Sequence, residues 1–303
     1  MQLVWRSLKY LPAPLLTFVK RHSSGTFRLW VRQKFGGDHT AIPDQIWTMA
    51  DGRKFHIGPE VAYWALYMGL EHEPETSHVA RQLLRPGDTV VDAGANYGWF
   101  TTLFARAVGP SGMVYSFEPV PSTCERLMEH LKLNQMMEQV TVVRAALNDD
   151  SGKATLHIFK NYSHTCASLS SLNEKDYETV EAPMIRLDDY LREQMVERID
   201  FLKCDIEGSE LAALRGSRHY LSSPDAPIIL VEINEETSGA FGFTRDDIWN
   251  YLSELGYDHF YDITSSQKLR RAAKMSDFLG QNLLCAKDKT VEQRLAKTGI
   301  VIS

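Results

Sequence analysis

The stretch VVDAGANYGWF, residues 90–100, decides how this chain folds. Val90 and Val91 run into Asp92, and Gly94, Asn96 and Gly98 then fall at every second position. An apolar series follows in Tyr97, Trp99, Phe100, Leu103 and Phe104. An apolar strand, a glycine-rich turn and an amphipathic helix form a strand–helix unit, and its turn lies where parallel sheets bind ligands. Glycine lacks a Cβ, so the backbone there can turn sharply and approach a ligand closely. Asparagine tolerates the left-handed backbone and can replace a third glycine.

Outward from this unit, apolar strands alternate with amphipathic helices from about residue 75. Strands are expected at 88–92, 112–117, 140–145, 199–205 and 227–232, and helices at 75–84, 97–107, 122–135, 188–196, 208–221 and 245–255. This alternation predicts an α/β fold, a doubly wound parallel sheet with helices on both faces. Residues 152–172 read as an extra strand followed by a serine-rich loop, and 257–263 and 282–286 as two late strands. Between those late strands, 264–282 reads as a basic loop with one short helix. Upstream, IWTMADGRKFHI (46–57) alternates on both sides of Asp51-Gly52, a β-hairpin signature. Three parts result: an N-terminal helical arm with a β-hairpin at 1–70, a main domain at 71–290, and a tail at 291–303.

With 303 residues, 44% hydrophobic and 24% charged, the chain has the composition of an ordinary globular protein. A net charge of -6 gives no general attraction to nucleic acid. Cys124, Cys166, Cys204 and Cys285 are scattered, with no paired or metal-ligand spacing, so a reducing, cytoplasmic setting is expected. The N-terminus differs. Arg6, Lys9, Lys20, Arg21, Arg28, Arg32 and Lys34 precede the first acid, Asp38, and are interleaved with apolar residues. Charges and Pro12 and Pro14 interrupt it too often for a membrane span. Two readings stay open: a helical extension packed on the domain, or a basic amphipathic arm in peripheral contact with an anionic membrane.

The chemistry of the opening motif follows from its acid. The loop reads DxGxNxG, whereas the dinucleotide fingerprint is GxGxxG. Asp92 would repel a pyrophosphate and favour a cationic nucleoside such as S-adenosylmethionine. Glu118, in YSFEP, ends the next strand, one helix and one strand beyond Asp92, where a carboxylate accepts both ribose hydroxyls. Ala145, Ala146 and Leu147 can flank an adenine ring, with Asn148 or Asp149 at its polar edge; an ordinary turn is the alternative.

A second dense stretch is KCDIEGSELAALRG (203–216). Strand alternation puts Ile199, Phe201, Lys203 and Asp205 on one face. A lysine within a buried strand is costly unless paired, so Lys203 predicts a carboxylate partner in Asp205, Asp92 or Glu232. Asp205, Glu207 and Glu210 crowd one sheet edge beside Glu232 in ILVEIN, and like-charge repulsion raises some of their pKa values. Lys203, Asp205 and Glu207 are the candidates for orienting or deprotonating a hydroxyl acceptor. Glu207, Glu210, Glu232 and Asn234 are the candidates for binding it. A structural ion network is the alternative. Asp205, Glu207, Glu232 and Asn234 have oxygens that suit a hard cation but no fixed ligand spacing, so no metal is assigned.

Taken together, VVDAGANYGWFT (90–101), FEPVPSTCERLMEHLKLN (117–134), ALNDDSGKATL (146–156), IRLDDYL (185–191), DFLKCDIEGSELAALRG (200–216) and ILVEIN (229–234) resemble the FkbM family of S-adenosylmethionine-dependent methyltransferases. The resemblance spans roughly residues 75–290. It implies a seven-stranded, Rossmann-like class I methyltransferase sheet and S-adenosylmethionine as cofactor. It also implies methylation of a hydroxyl on a sugar, glycan, polyketide or similar small molecule. Carried over by motif, Asp92, Gly94, Asn96 and Gly98 would hold the methionine part, Glu118 the ribose, and Asp205 and Glu207 the reaction edge. Cys204 stands where the family has an aliphatic residue. The (D/N/S)PP(Y/F) signature of amino-methylating enzymes is absent where Asp205-Ile206-Glu207-Gly208 stands, which argues against nucleic-acid bases as acceptors. The competing expectations are a non-catalytic nucleoside-binding module and a nicotinamide-dependent reductase.

Overall fold

A computed structural model of the chain describes residues 45–57, 71–159, 167–168 and 177–303. The expected helical arm and most of the serine-rich loop lie outside these residues. The hairpin is present. Strands β1 (Gln45–Thr48) and β2 (Lys54–Ile57) pair antiparallel, with Thr48 opposite Lys54, so a five-residue loop joins them rather than a two-residue turn.

Helix α1 (Pro74–Leu83) opens the main domain, with proline in its first turn, where its missing N–H is no loss. Strand β3 (Thr89–Ala93), helix α2 (Trp99–Val108), strand β4 (Met113–Phe117), helix α3 (Pro121–Leu133) and strand β5 (Val140–Val143) follow. Next come β6 (Ala146–Leu147), β7 (Gly152–Phe159), β8 (Ala167–Ser168), β9 (Tyr177–Ile185) and helix α4 (Leu187–Glu193). Strand β10 (Phe201–Cys204) leads to α5 (Glu210–Arg215), α6 (Arg218–Ser222), β11 (Ile228–Glu232), α7 (Glu235–Ala240) and α8 (Arg245–Glu254). The chain ends with β12 (His259–Ser265), β13 (Lys268–Ala272), β14 (Asn282–Ala286), α9 (Thr290–Leu295) and β15 (Val301–Ile302).

The main sheet has the order β15-β13-β12-β14-β11-β10-β3-β4-β5. From β11 to β5 neighbouring strands are parallel, while β14 runs antiparallel to both β11 and β12. The seven strands from β12 to β5 are the expected doubly wound sheet, and β13 and β15 extend it. Within it, β3, β4 and β5 build outward in one direction, and β10 and β11 in the other. The reversal lies between β3 and β10, the crevice where such sheets bind ligands. Alternation along the central strands sends Val90, Phe201, Ile228 and Leu230 into one core layer and Val91, Leu202, Ile229 and Val231 into the other.

The elements depart from expectation in four places. The stretch 264–282 is not a basic loop: Lys268–Ala272 is a strand paired with β12, followed by a short 3-10 turn at Met275–Asp277. Residues 291–303, expected as a tail, hold α9, which buries Val291 and Leu295, and β15, which pairs with β13. Beyond the extra strand expected at 152–172 lies β9, which pairs with β7 over eight positions in a separate four-stranded sheet. The expected helix 208–221 is two helices, interrupted at Gly216 and Ser217. Among the described residues no helix is long and apolar enough to cross a membrane.

Helix α2 is buried almost all round, because the hairpin and α1 cover its outer side. Arg53, fully buried, donates from Nη1 to the Trp99 carbonyl (2.7 Å) and to Thr102 Oγ1 (3.1 Å), and lies 4.2 Å over the Trp99 ring. Its charge is balanced by Asp51 at 2.7 Å. The hairpin therefore holds the helix that follows the glycine-rich turn.

Candidate active site

Two loops meet at the reversal point. Gly94 (φ +79°), Asn96 (φ +50°) and Gly98 (φ +85°) take the left-handed backbone foreseen for the first turn. A Cβ at Gly94 would stand 1.8 Å from the Asp205 carbonyl oxygen, so the loops after β3 and β10 touch here. Glu118 ties the first loop to the end of β4: Oε2 accepts from Asn96 N and Oε1 from Val120 N, both at 2.9 Å. Burial pushes its carboxyl up to about 7, against the two backbone hydrogen bonds. Ligand hydroxyls donating to it would favour the charged form. Ala145, Ala146, Leu147 and Leu156 complete an apolar wall beside it, while Asn148 and Asp149 do not border the cleft.

The loop's own amides are already engaged. Gly94 N and Ala95 N donate to the Phe117 carbonyl, Asn96 N to Glu118, Tyr97 N to Asn96 Oδ1, and Gly98 N to the Ala95 carbonyl. A pyrophosphate is held by free amides at such a turn. This loop has none from 94 to 98 to give one.

The first acid differs from its expected role. Asp92 is fully buried and does not border the cleft. Its Oδ2 accepts from Thr101 Oγ1 at 2.6 Å, and Ser116 Oγ donates to that hydroxyl at 3.1 Å. The cation Asp92 meets is Lys203, directly opposite on β10. Burial raises the Asp92 pKa and Lys203 opposes the rise.

The second cluster assembles around that lysine. Lys203 Nζ donates to Asp205 Oδ2 at 2.8 Å and lies 4.7 Å from the Phe100 ring centroid. Burial works against its charge, but Asp205, Asp92 and Glu73 outweigh burial and raise its pKa above the ordinary lysine value. Lys203 is thus held in its charged form between these carboxylates. Burial likewise opposes the charge of Asp205, yet Lys203 and a hydrogen bond with Glu232 hold its pKa below the usual range. Glu232 is pushed well up by burial, then by Asp205 and Glu207, opposite in direction to its partner Asp205. Asp205, with 26% of its side chain exposed, lines the cleft with Glu207 and Glu232.

Glu207 (φ +59°) and Glu232 line the cleft, as expected of acceptor-binding residues. Glu210 and Asn234 do not. Glu210 is 1% exposed, and its Oε1 accepts from Ile206 N (3.0 Å) and Gly208 N (3.1 Å), fixing its own loop. Asn234 accepts on its carbonyl from Ser238 N at the start of α7. Among the described residues, no three His, Cys, Asp or Glu side chains are grouped as a metal site requires.

His72 and Glu73 line the cleft although no sequence motif singled them out. Burial lowers His72 to about 4, with Asp205 opposing and Lys203 assisting. Burial, then Asp205, raises Glu73, while Thr76 and Asn282 hydrogen-bond it. One signal was present: Pro74 marks a helix start, which puts the two preceding residues on a loop.

Residues 92–258, more than half of the chain, match the family described as the methyltransferase FkbM domain. The chain belongs to the FkbM methyltransferase family. Its relatives include methyltransferase sdnD of Sordaria araneosa, 31% identical over 154 residues, which are 42% of this chain and 59% of that protein. The chain therefore spans less than two thirds of that relative's length. The 31-O-demethyl-FK506 methyltransferase FkbM of Streptomyces tacrolimicus is 27% identical over 188 residues, 52% of this chain and 70% of that one. Hexuronic acid methyltransferase AglP of Haloferax volcanii is 24% identical over 242 residues, 79% of this chain and 90% of its own. S-adenosylmethionine is the cofactor of this FkbM fold, and the cleft fits it: a buried carboxylate for ribose hydroxyls, an apolar wall for the base, and Asp205 for positive charge. A nicotinamide dinucleotide fits less well, because the loop departs from GxGxxG and its amides from Gly94 to Gly98 are engaged within the fold.

Proposed function

We propose that this FkbM-family chain methylates a hydroxyl group on a small molecule, such as a sugar, glycan, polyketide or lipid-linked acceptor. The observation that carries this reading is the opening of two sites on one cleft. Gly94 and Asn96 of the first motif, with Glu118, line the same cleft as Lys203, Asp205, Glu207 and Glu232. When bound, S-adenosylmethionine supplies an electrophilic methyl on a sulfonium. Glu118 binds the ribose hydroxyls, and Ala145, Ala146 and Leu147 flank the base. Lys203 fixes the Asp205 carboxylate, and Glu207 and Glu232 orient the acceptor, so that positioning supplies much of the rate. The names of the FK506 and hexuronic acid relatives support an oxygen-rich acceptor. The absence of (D/N/S)PP(Y/F) at 205–208 supports oxygen over a planar amine.

This reading includes a cytoplasmic location, supported by the buried free thiols of Cys124, Cys204 and Cys285. It also includes peripheral membrane contact through the basic residues before Asp38, which lie outside the described residues. The test is incubation with methyl-labelled S-adenosylmethionine and pooled extracts of soluble glycans, glycolipids and polyketides. Label in a base-stable ether on a purified product is expected. Label on nitrogen, or none in any fraction while S-adenosylhomocysteine still binds, refutes hydroxyl transfer.

A further inference from the structure

An imidazole stands on the reaction side of the cleft, on a segment outside every motif. His72, two residues before α1, lines the cleft together with Lys203, Asp205 and Glu232. Its ring is edge-on to Trp99 and Phe100, with centroids 6.2 and 6.3 Å away. The same Phe100 ring carries the Lys203 ammonium 4.7 Å from its centroid, so the imidazole and the Lys203–Asp205 pair share one aromatic floor. Its Nε2 lies 3.5 Å from Glu73 Oε1.

The other titratable groups of this cleft are poorly suited to accept a proton. Lys203 is held as a cation by three carboxylates. Asp205 is committed to Lys203 and to Glu232, and Glu232 is committed to Asp205. Glu118 belongs to the ribose end and accepts two backbone amides. Glu73 accepts from Asn282 and Thr76. Glu207 is the remaining carboxylate on the acceptor side and the rival to be tested.

Resting on the hydroxyl-transfer reading above, we infer that His72 takes the proton from the acceptor hydroxyl. The acceptor oxygen bonds to the methyl carbon as the carbon–sulfur bond breaks, and the electrons of that bond stay on sulfur. The hydroxyl proton moves to a ring nitrogen of His72, and solvent removes it after product release. The groups facing the imidazole suit both ends of this step. Partial burial against Trp99 and Phe100, helped by the Lys203 charge, lowers its pKa and favours the neutral ring beforehand. Glu73, on its own segment, and Asp205, on the loop after β10, stabilise the imidazolium once it forms.

The experiment compares the full chain with His72→Gln, His72→Ala and Glu207→Ala, using labelled S-adenosylmethionine and the pooled extract fraction that the unaltered chain labels. His72→Gln is expected to lose about 100-fold or more in turnover. Its calorimetric affinity for S-adenosylhomocysteine stays within about twofold, an expectation for a group that acts on the acceptor proton alone. Added imidazole restores part of the rate to His72→Ala, and added formate does not restore His72→Ala. Unchanged turnover in His72→Gln, a loss of S-adenosylhomocysteine affinity, or failure of imidazole rescue overturns the assignment, as does formate rescue of Glu207→Ala. If the unaltered chain labels no fraction, hydroxyl transfer itself fails and this assignment falls with it; label with the unaltered chain and equal label with His72→Gln refutes His72 alone.

Discussion

Lys203 is a cation set in the middle of an apolar strand, with 3% of its side chain exposed. Burying such a charge alone costs several kcal/mol, so its place depends on what surrounds it. Asp205 meets it at 2.8 Å, Asp92 stands opposite on β3, and the Phe100 face lies beneath. Replacement by methionine preserves the stem and removes the charge, which leaves two buried carboxylates without their cation. Lys203→Met is expected to lower unfolding free energy by about 3–5 kcal/mol, the usual loss for one partner of a buried pair. Urea denaturation checks this, and a loss below about 1 kcal/mol would mean that the carboxylates simply take up protons. Much of this network was legible. A lysine amid strand residues demands an acid, and Asp205, two positions on along the same face, was the natural candidate. The direction of Asp92 was not legible, because a strand-end acid can face a ligand or a neighbouring strand, and register decides which. Glu73 was further out of reach, since it comes from a loop 130 positions away that bears no repeat or motif.

At the scale of elements, a buried histidine helps to join the hairpin to α3. His130 is fully buried; its Nδ1 donates to the Tyr97 carbonyl at 2.6 Å, and its Nε2 accepts from His56 N at 3.0 Å. Only one neutral tautomer makes both bonds. Burial lowers its pKa from 6.5 to about 4, against the Tyr97 and His56 carbonyls, which face the two ring nitrogens. Below pH 6.5 the unfolded chain takes up a proton that the folded chain refuses, so stability falls with pH until both forms are protonated near pH 4. Across that window the loss is about 3 kcal/mol, and His72, which is partly exposed, adds a smaller loss in the same direction. Denaturation at stepped pH should show this slope in the unaltered chain and a shallower one in His130→Gln. An identical slope in both would mean that other groups set the acid limit. The hairpin and the strand–helix alternation were readable because their periods are short and their burial one-sided or complete. Strand β13 was not, since it buries Leu269 and Ala272 while Lys268 and Arg271 face solvent, and its charges read as a loop. Strand β9 was hidden similarly, with Glu178 and Glu181 exposed on a small separate sheet.

At the scale of the whole molecule, the order of the sheet explains why the two dense motifs, over a hundred residues apart, share one site. The chain leaves β3 towards β5 and returns at β10, so the loops that open the two halves are neighbours. The contact at Gly94 is the tightest expression of this topology, because any side chain there would strike the Asp205 carbonyl and would also have to adopt φ +79°. Gly94→Ala must therefore push the halves apart at the cleft. The amides from 94 to 98 are all spent within the fold, which separates a nucleoside from a dinucleotide as ligand. Binding to the folded chain alone stabilises it by about 2.7 kcal/mol at one hundred times Kd, a rise of about 5 °C in Tm for a domain of this size. S-adenosylhomocysteine should give that rise and NAD none, and Gly94→Ala should abolish the rise while leaving a cooperative transition. Thermal unfolding with each ligand measures all three. A shift with NAD would show that the amides can be freed, and a full S-adenosylhomocysteine shift in Gly94→Ala would show that the meeting of the two loops does not shape the cleft.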